Sequence, residues 1–96
     1  MKLKNVSKSP IKEKKLRATF IKPDGTEKTV DFGAKGYSDF TINKDLERRE
    51  QYWKRHKVNE DWSKPDTAGS LSRHILWGET TSLKKNIQQF KKKFNL

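Results

Sequence analysis

Pro23-Asp24-Gly25 is the feature that most constrains how this chain can fold, because it separates two runs that alternate with the period of a β-strand. Before it, Leu16, Ala18 and Phe20 alternate with Arg17, Thr19 and Ile21; after it, Val30 and Phe32 alternate with Thr29 and Asp31. In a strand, successive side chains point to opposite faces, so each run predicts a strand with one apolar side. Proline presets φ for the first turn position, Asp24 accepts the next, and Gly25 supplies the left-handed one. The stretch is therefore a predicted β-hairpin. A lone hairpin is marginal in water, so its apolar face has to pack on something else.

The remainder of the chain supplies helices for that purpose. FGAKGYSDFT (Phe32 to Thr41) is too rich in glycine for a helix and too interrupted for a long strand, and reads as a shaped loop. It acts as the junction between hairpin and helix, with Phe32, Tyr37 and Phe40 as expected packing anchors. Thr41 or Asn43 can cap a helix from about Lys44 to Lys57, on which Leu46 and Trp53 share an apolar seam. Arg48, Tyr52 and Arg55 fall on an adjoining face at i, i+4 and i+7. Val58 to Pro65 reads as a loop, with Trp62 expected to plug into the core. Asp66 or Thr67 caps a second helix, about Ala68 to Trp77, stopped by Gly78. Thr80 or Thr81 starts a third, about Ser82 to Phe94, whose Leu83, Ile87, Phe90 and Phe94 form one apolar stripe. Residues 1–14 show no periodicity and are expected to be a flexible basic arm, leaving 15–96 as one domain. The predicted class is thus α+β: a hairpin packed against about three short helices, preceded by that arm.

Of the 96 residues, 30% are hydrophobic and 36% charged, so the core must be thin. Its aromatics, five Phe, three Trp and two Tyr, partly compensate because each buries a large area. A domain of this size can be completed by self-association, and a homo-oligomer is a natural expectation.

Net charge is +11, from 23 Lys and Arg against 12 Asp and Glu. An excess of that size favours polyanions, nucleic acid first. It is heaviest in residues 1–22, on the helix after the glycine loop and in residues 81–96. Arginine forks suit phosphate geometry, lysines act as point charges, and exposed rings can stack on bases. The candidate nucleic-acid contacts are accordingly Lys12, Lys14, Lys15 and Arg17 near the arm, and Lys35 in the glycine loop. Arg48, Arg49, Tyr52 and Arg55 follow on the first helix, Arg73 on the second, and Lys84, Lys85, Lys91 and Lys92 on the last. Gly33 to Gly36 is a weaker candidate, as a nest of backbone amides around a phosphate. Lysine-rich contact carries no base preference, so sequence-independent binding is expected, double-stranded DNA before RNA.

Other functions find less support. The chain has no cysteine, which removes thiol catalysis and cysteine-based zinc sites. No run approaches the length of a membrane span, and the basic N-terminus has no apolar core of a signal peptide, so a soluble protein is expected with no membrane partner. No motif points to a cofactor or a small-molecule substrate, and a non-enzymatic role is expected. The residual enzyme reading is a metal-dependent nuclease built on His56 with Glu60 or Asp61. The main alternative, ahead of a nuclease, is a structural or interaction protein whose charge faces acidic protein partners.

FGAKGYSDFTINKDLERREQYWKRHKVNEDW, followed by PDTAGSLSRHILWGETTSLKKNIQQFKKKF, resembles the small basic proteins of unassigned function found in large double-stranded DNA viruses of eukaryotes. The resemblance runs from about Lys15 to Leu96 and rests on the FGAKGYSDFT run, the RR…Y..RH helix and the TAGSLSR.ILW helix. Asn43 stands where that pattern commonly has a histidine, and Gln51 where it commonly has a basic residue, which weakens a catalytic or strictly electrostatic role at both. What the resemblance implies is a viral protein packaged in the virion, present in the host cytoplasm or nucleus during infection. It carries no settled activity, so the expected function rests on charge.

Overall fold

The computed structural model describes residues 1–96 and has an α+β architecture. Strands β1 (Lys2–Lys8), β2 (Lys14–Ile21) and β3 (Glu27–Ala34) form an antiparallel sheet in the order β1-β2-β3. The hairpin is β2 and β3, paired Leu16 to Phe32, Ala18 to Val30 and Phe20 to Lys28. Its loop closes through Gly25 N–H donating to the Lys22 carbonyl at 2.9 Å, with Gly25 at φ +87°. The Asp24 carboxylate accepts from the Thr26 amide and hydroxyl at 2.9 and 2.6 Å. Leu16, Ala18, Phe20, Val30 and Phe32 turn to the core, as the alternation requires. On the opposite face Arg17 forks onto Asp31 at 3.0 and 3.1 Å.

The sheet has three strands rather than two because Lys2–Lys8, within the segment expected as a flexible arm, pairs with β2. Leu3 and Val6 both pack on the core although they are three residues apart, an odd spacing that places side chains on opposite faces of a regular strand. A bulge between Leu3 and Asn5 shifts the register and brings both onto the same side.

Helices α1 (Phe40–Asn43), α2 (Leu46–Lys57), α3 (Ala68–Leu71) and α4 (Leu83–Phe94) follow, and α3 runs on into a π-helical turn, Ser72–Leu76. Each start has a side-chain cap: Asp39 for α1, Asp45 for α2, Thr67 for α3 and Ser82 for α4. Thr67 is one of the two residues expected for its helix; the caps of α2 and α4 differ from those expected, and α1 begins in the stretch expected as a loop. α2 is capped by Asp45 because Asn43 ends α1 and Lys44 takes a left-handed turn, φ 55°, between the two helices. Thr80 is held instead by Asn86, whose Oδ1 accepts from the Thr80 amide and hydroxyl at 3.1 and 2.7 Å.

The core lies between the sheet and the C-terminal helices: Leu3, Ala18, Phe20 and Phe32 face Leu71, Ile75, Leu76 and Phe90. Leu83, Ile87 and Phe94 close it along the predicted stripe of α4. Asn86 is fully buried on the same helix, its Nδ2 donating to the Ile75 and Thr80 carbonyls at 2.8 Å each. It ties the π turn to the start of α4 with every polar atom satisfied. α2 buries no residue fully, and four residues expected to pack lie outside the core. Leu46 is exposed, while Trp53 and Trp62 are half-buried against charged groups. Tyr37 is exposed too, at 73%, because the turn at Gly36 carries it away from the sheet.

Candidate functional site

α2 is held to the body of the protein by a pile of alternating rings and guanidinium groups. Arg49 lies 4.9 Å from the Phe40 ring centre and 4.2 Å from that of Trp53; Arg73 lies 3.8 Å from the Trp53 ring centre and 5.3 Å from that of Trp62. A cation over an aromatic face contributes about 0.5–2 kcal/mol, more as water is excluded. Trp53 Nε1 also donates to the Trp77 carbonyl at 2.8 Å, and Arg49 reaches the Glu79 carbonyl at 3.3 Å. The two arginine side chains are only 12% and 15% exposed, and burial lowers the pKa of Arg73 against the opposing pull of Glu79. The sequence pattern makes both candidate phosphate contacts. Their forks are committed to holding α2 in place.

Two more of the predicted cations are also occupied. Lys15 Nζ is 2.7 Å from the buried Asp39 carboxylate, which caps α1 through the Thr41 amide. Arg17 is paired with Asp31, whose carboxyl is held below the usual range by Arg17 and by the Ser9 hydroxyl at 2.6 Å. The amides of Lys35 and Tyr37 donate to the Glu13 and Ala34 carbonyls at 2.9 and 3.2 Å, so they are not presented to a phosphate. The glycines here serve packing: a Cβ on Gly33, at φ +80°, would stand 2.6 Å from Leu76 Cδ1.

The remaining cations fall into two groups. Lys84, Lys85, Lys91 and Lys92 are exposed along α4, away from its buried stripe. Lys12, Lys14 and Lys35 gather at one end of the sheet, where Lys14 pairs with Ala34 and Lys35 bonds to Glu13. That end borders a cleft of about 490 Å³ between the hairpin, the glycine loop, α2 and the π turn. Lys14, Arg48 and Arg55 line it, and none of the three is paired with a carboxylate.

One wall of the cleft is a stack of rings. Tyr52 lies face to face with His56, centres 4.1 Å apart, and with Trp77, centres 4.5 Å apart and 7° from parallel. Burial, reinforced by the Glu60 carboxylate, pushes the Tyr52 phenol up to about 12, so it stays neutral. His56 Nδ1 is 3.3 Å from Glu60, whose other oxygen accepts from Trp62 Nε1 at 2.8 Å. Tyr37, exposed at 73%, also lines the cleft. Arg48, Tyr52 and Arg55, placed on one helical face by spacing alone, all reach this cleft. The contribution of Trp77 was missed: a tryptophan at the end of an apolar run gives no sign that it will stack on the preceding helix. No group of three His, Asp or Glu side chains converges to hold a metal ion, so His56 and Glu60 have no third ligand beside them.

A family model matches residues 4–56, from β1 almost to the end of α2. The chain belongs to DUF5754, a family of unknown function. The DUF5754 match contains the sheet end, the glycine loop and the cationic side of the cleft, whereas Glu60, Ser72 and Trp77 come from the chain beyond it. No curated protein and no solved structure matches the sequence.

Proposed function

We propose that this protein is a non-enzymatic, sequence-independent nucleic-acid-binding protein, with DNA as its first partner. The observation that carries the reading is the convergence of Lys14, Arg48 and Arg55, free of carboxylate partners, on an aromatic-walled cleft. The exposed lysines of α4 supply a second cationic surface for the phosphate backbone. Such contacts release counterions and carry no base information. The resemblance to small basic proteins of large DNA viruses extends the proposal to a virion protein that binds or condenses the genome.

The test is fluorescence anisotropy with two short duplexes of unrelated sequence across a salt series. Neutralising about six phosphates predicts a slope of log K on log salt of about −5, the same for both duplexes. Arg48→Glu with Arg55→Glu should weaken binding by more than about tenfold, since each charge reversal replaces an attraction with a repulsion. Absence of binding at low salt overturns the proposal.

A second reading, a structural protein contacting acidic partners, has its own support. Ile42 and Leu46 are exposed at 62% and 60% where α1 meets the basic helix α2. Incorporation into particles that survives the double charge reversal, with DNA binding lost, favours that reading.

A further inference from the structure

We infer that the cleft holds one unpaired nucleotide of a single strand, its base against the aromatic groups and its phosphate among Lys14, Arg48 and Arg55. This rests on the nucleic-acid reading above and adds to it a site that a duplex does not fill. The volume, about 490 Å³, lies in the range of small-molecule sites, about 300–1,000 Å³, and the lining combines rings with a few convergent polar groups.

Three observations single out a base rather than phosphate alone. Tyr37 keeps 73% of its surface exposed at the lip of a cleft already walled by rings, although the chain has few aromatics to spare for its core. His56, at the open end of the Tyr52 and Trp77 stack, has a side chain 39% exposed. Glu60 and Ser72 line the same space and can meet the hydrogen-bonding edge of a base. In a duplex the base faces are covered by neighbouring base pairs, so these groups gain a partner only from an unpaired base. Base stacking on a protein ring contributes about 1–3 kcal/mol and tolerates any base, in keeping with sequence-independent binding. An acidic or phosphorylated peptide satisfies the cations but leaves Tyr37 without a function.

The experiment compares single-stranded DNA, single-stranded RNA and duplex DNA of equal length by anisotropy, for the intact chain and for Tyr37→Ala. Tyr37 is exposed, so its truncation should leave the melting temperature unchanged, and that measurement accompanies the binding data. The expected result is a ratio of single-strand to duplex affinity that falls about tenfold in Tyr37→Ala. Whichever single strand binds better identifies the sugar preferred, and a nucleoside monophosphate should quench tryptophan fluorescence through Trp77. An unchanged ratio, or an equally charged phosphotyrosine peptide competing as well as the oligonucleotide, overturns the inference. In that case salt-dependent duplex binding still stands, whereas loss of all nucleic-acid binding removes both readings.

Discussion

His74 sits beside Phe90 and Phe94, ring centres 5.8 and 5.2 Å away, with Nε2 3.2 Å from the Trp62 carbonyl. A carbonyl only accepts, so Nε2 carries a proton and donates it to Trp62. Burial pushes its pKa down to about 4 against the Trp62 hydrogen bond and Glu79, and the neighbouring cations Arg73 and Lys93 act in the same direction as burial. An unfolded histidine titrates near 6.5, so as pH falls the unfolded chain takes up this proton first. The stabilisation is present above pH about 6.5 and is lost as pH falls towards 4. Partial exposure reduces the loss to about 2 kcal/mol. Urea midpoints measured from pH 7 to 4.5 should fall in the intact chain and stay flatter in His74→Gln, which keeps a donor; parallel profiles would exclude His74 as the cause. The sequence gives no sign of this burial, since one histidine on an apolar helix face looks like the other. The same holds for Arg49 and Arg73. Their charge was legible, but that aromatic faces would take up both guanidinium groups depends on how α2 lies across the π turn.

At the level of elements, legibility followed regularity. The hairpin alternates without interruption and α4 repeats its apolar residues every three or four positions, so both were readable from local spacing. β1 was not, because its bulge puts Leu3 and Val6 out of period and its lysines look like those of a solvated tail. The difference is measurable. Leu3 is 5% exposed and pairs with Phe20, and truncating a buried leucine to alanine costs about 2–5 kcal/mol, least where the site can relax, as at an edge strand. Leu3→Ala should therefore lower stability by about 2–3 kcal/mol and the melting temperature by about 10 °C or more. A flexible arm would give no change. The π turn has no counterpart in the spacing either, because the run from Ala68 to Trp77 fits an ordinary helix. Its signature is the Trp77 amide reaching the Ser72 carbonyl at 2.9 Å, which accompanies the placement of the Trp77 ring on Tyr52.

For the whole molecule, charge and stability pull against each other. The chain carries +11 on a body that fully buries 13 of its 96 residues, so little apolar burial opposes the mutual repulsion of its cations. Ion pairs such as Lys4 with Glu27 and Lys28 with Asp66 are substantially exposed, and such pairs contribute about 0–1 kcal/mol. Raising chloride from about 10 mM to 0.2 M shortens the screening length from about 30 Å to under 10 Å. Repulsion across the molecule is then screened more than contacts within pairs, and the melting temperature of the free protein should rise by several degrees. DNA should reverse the dependence. At a hundredfold excess over Kd a ligand stabilises by about 2.7 kcal/mol, or about 10–20 °C for a domain of this size, and that excess collapses as salt weakens binding. Melting curves with and without a short oligonucleotide should thus lie far apart at low salt and converge from opposite directions as salt rises. A free protein that melts lower in added chloride would show that its ion pairs outweigh its net charge, and the phosphate-neutralising surface would lose its energetic basis.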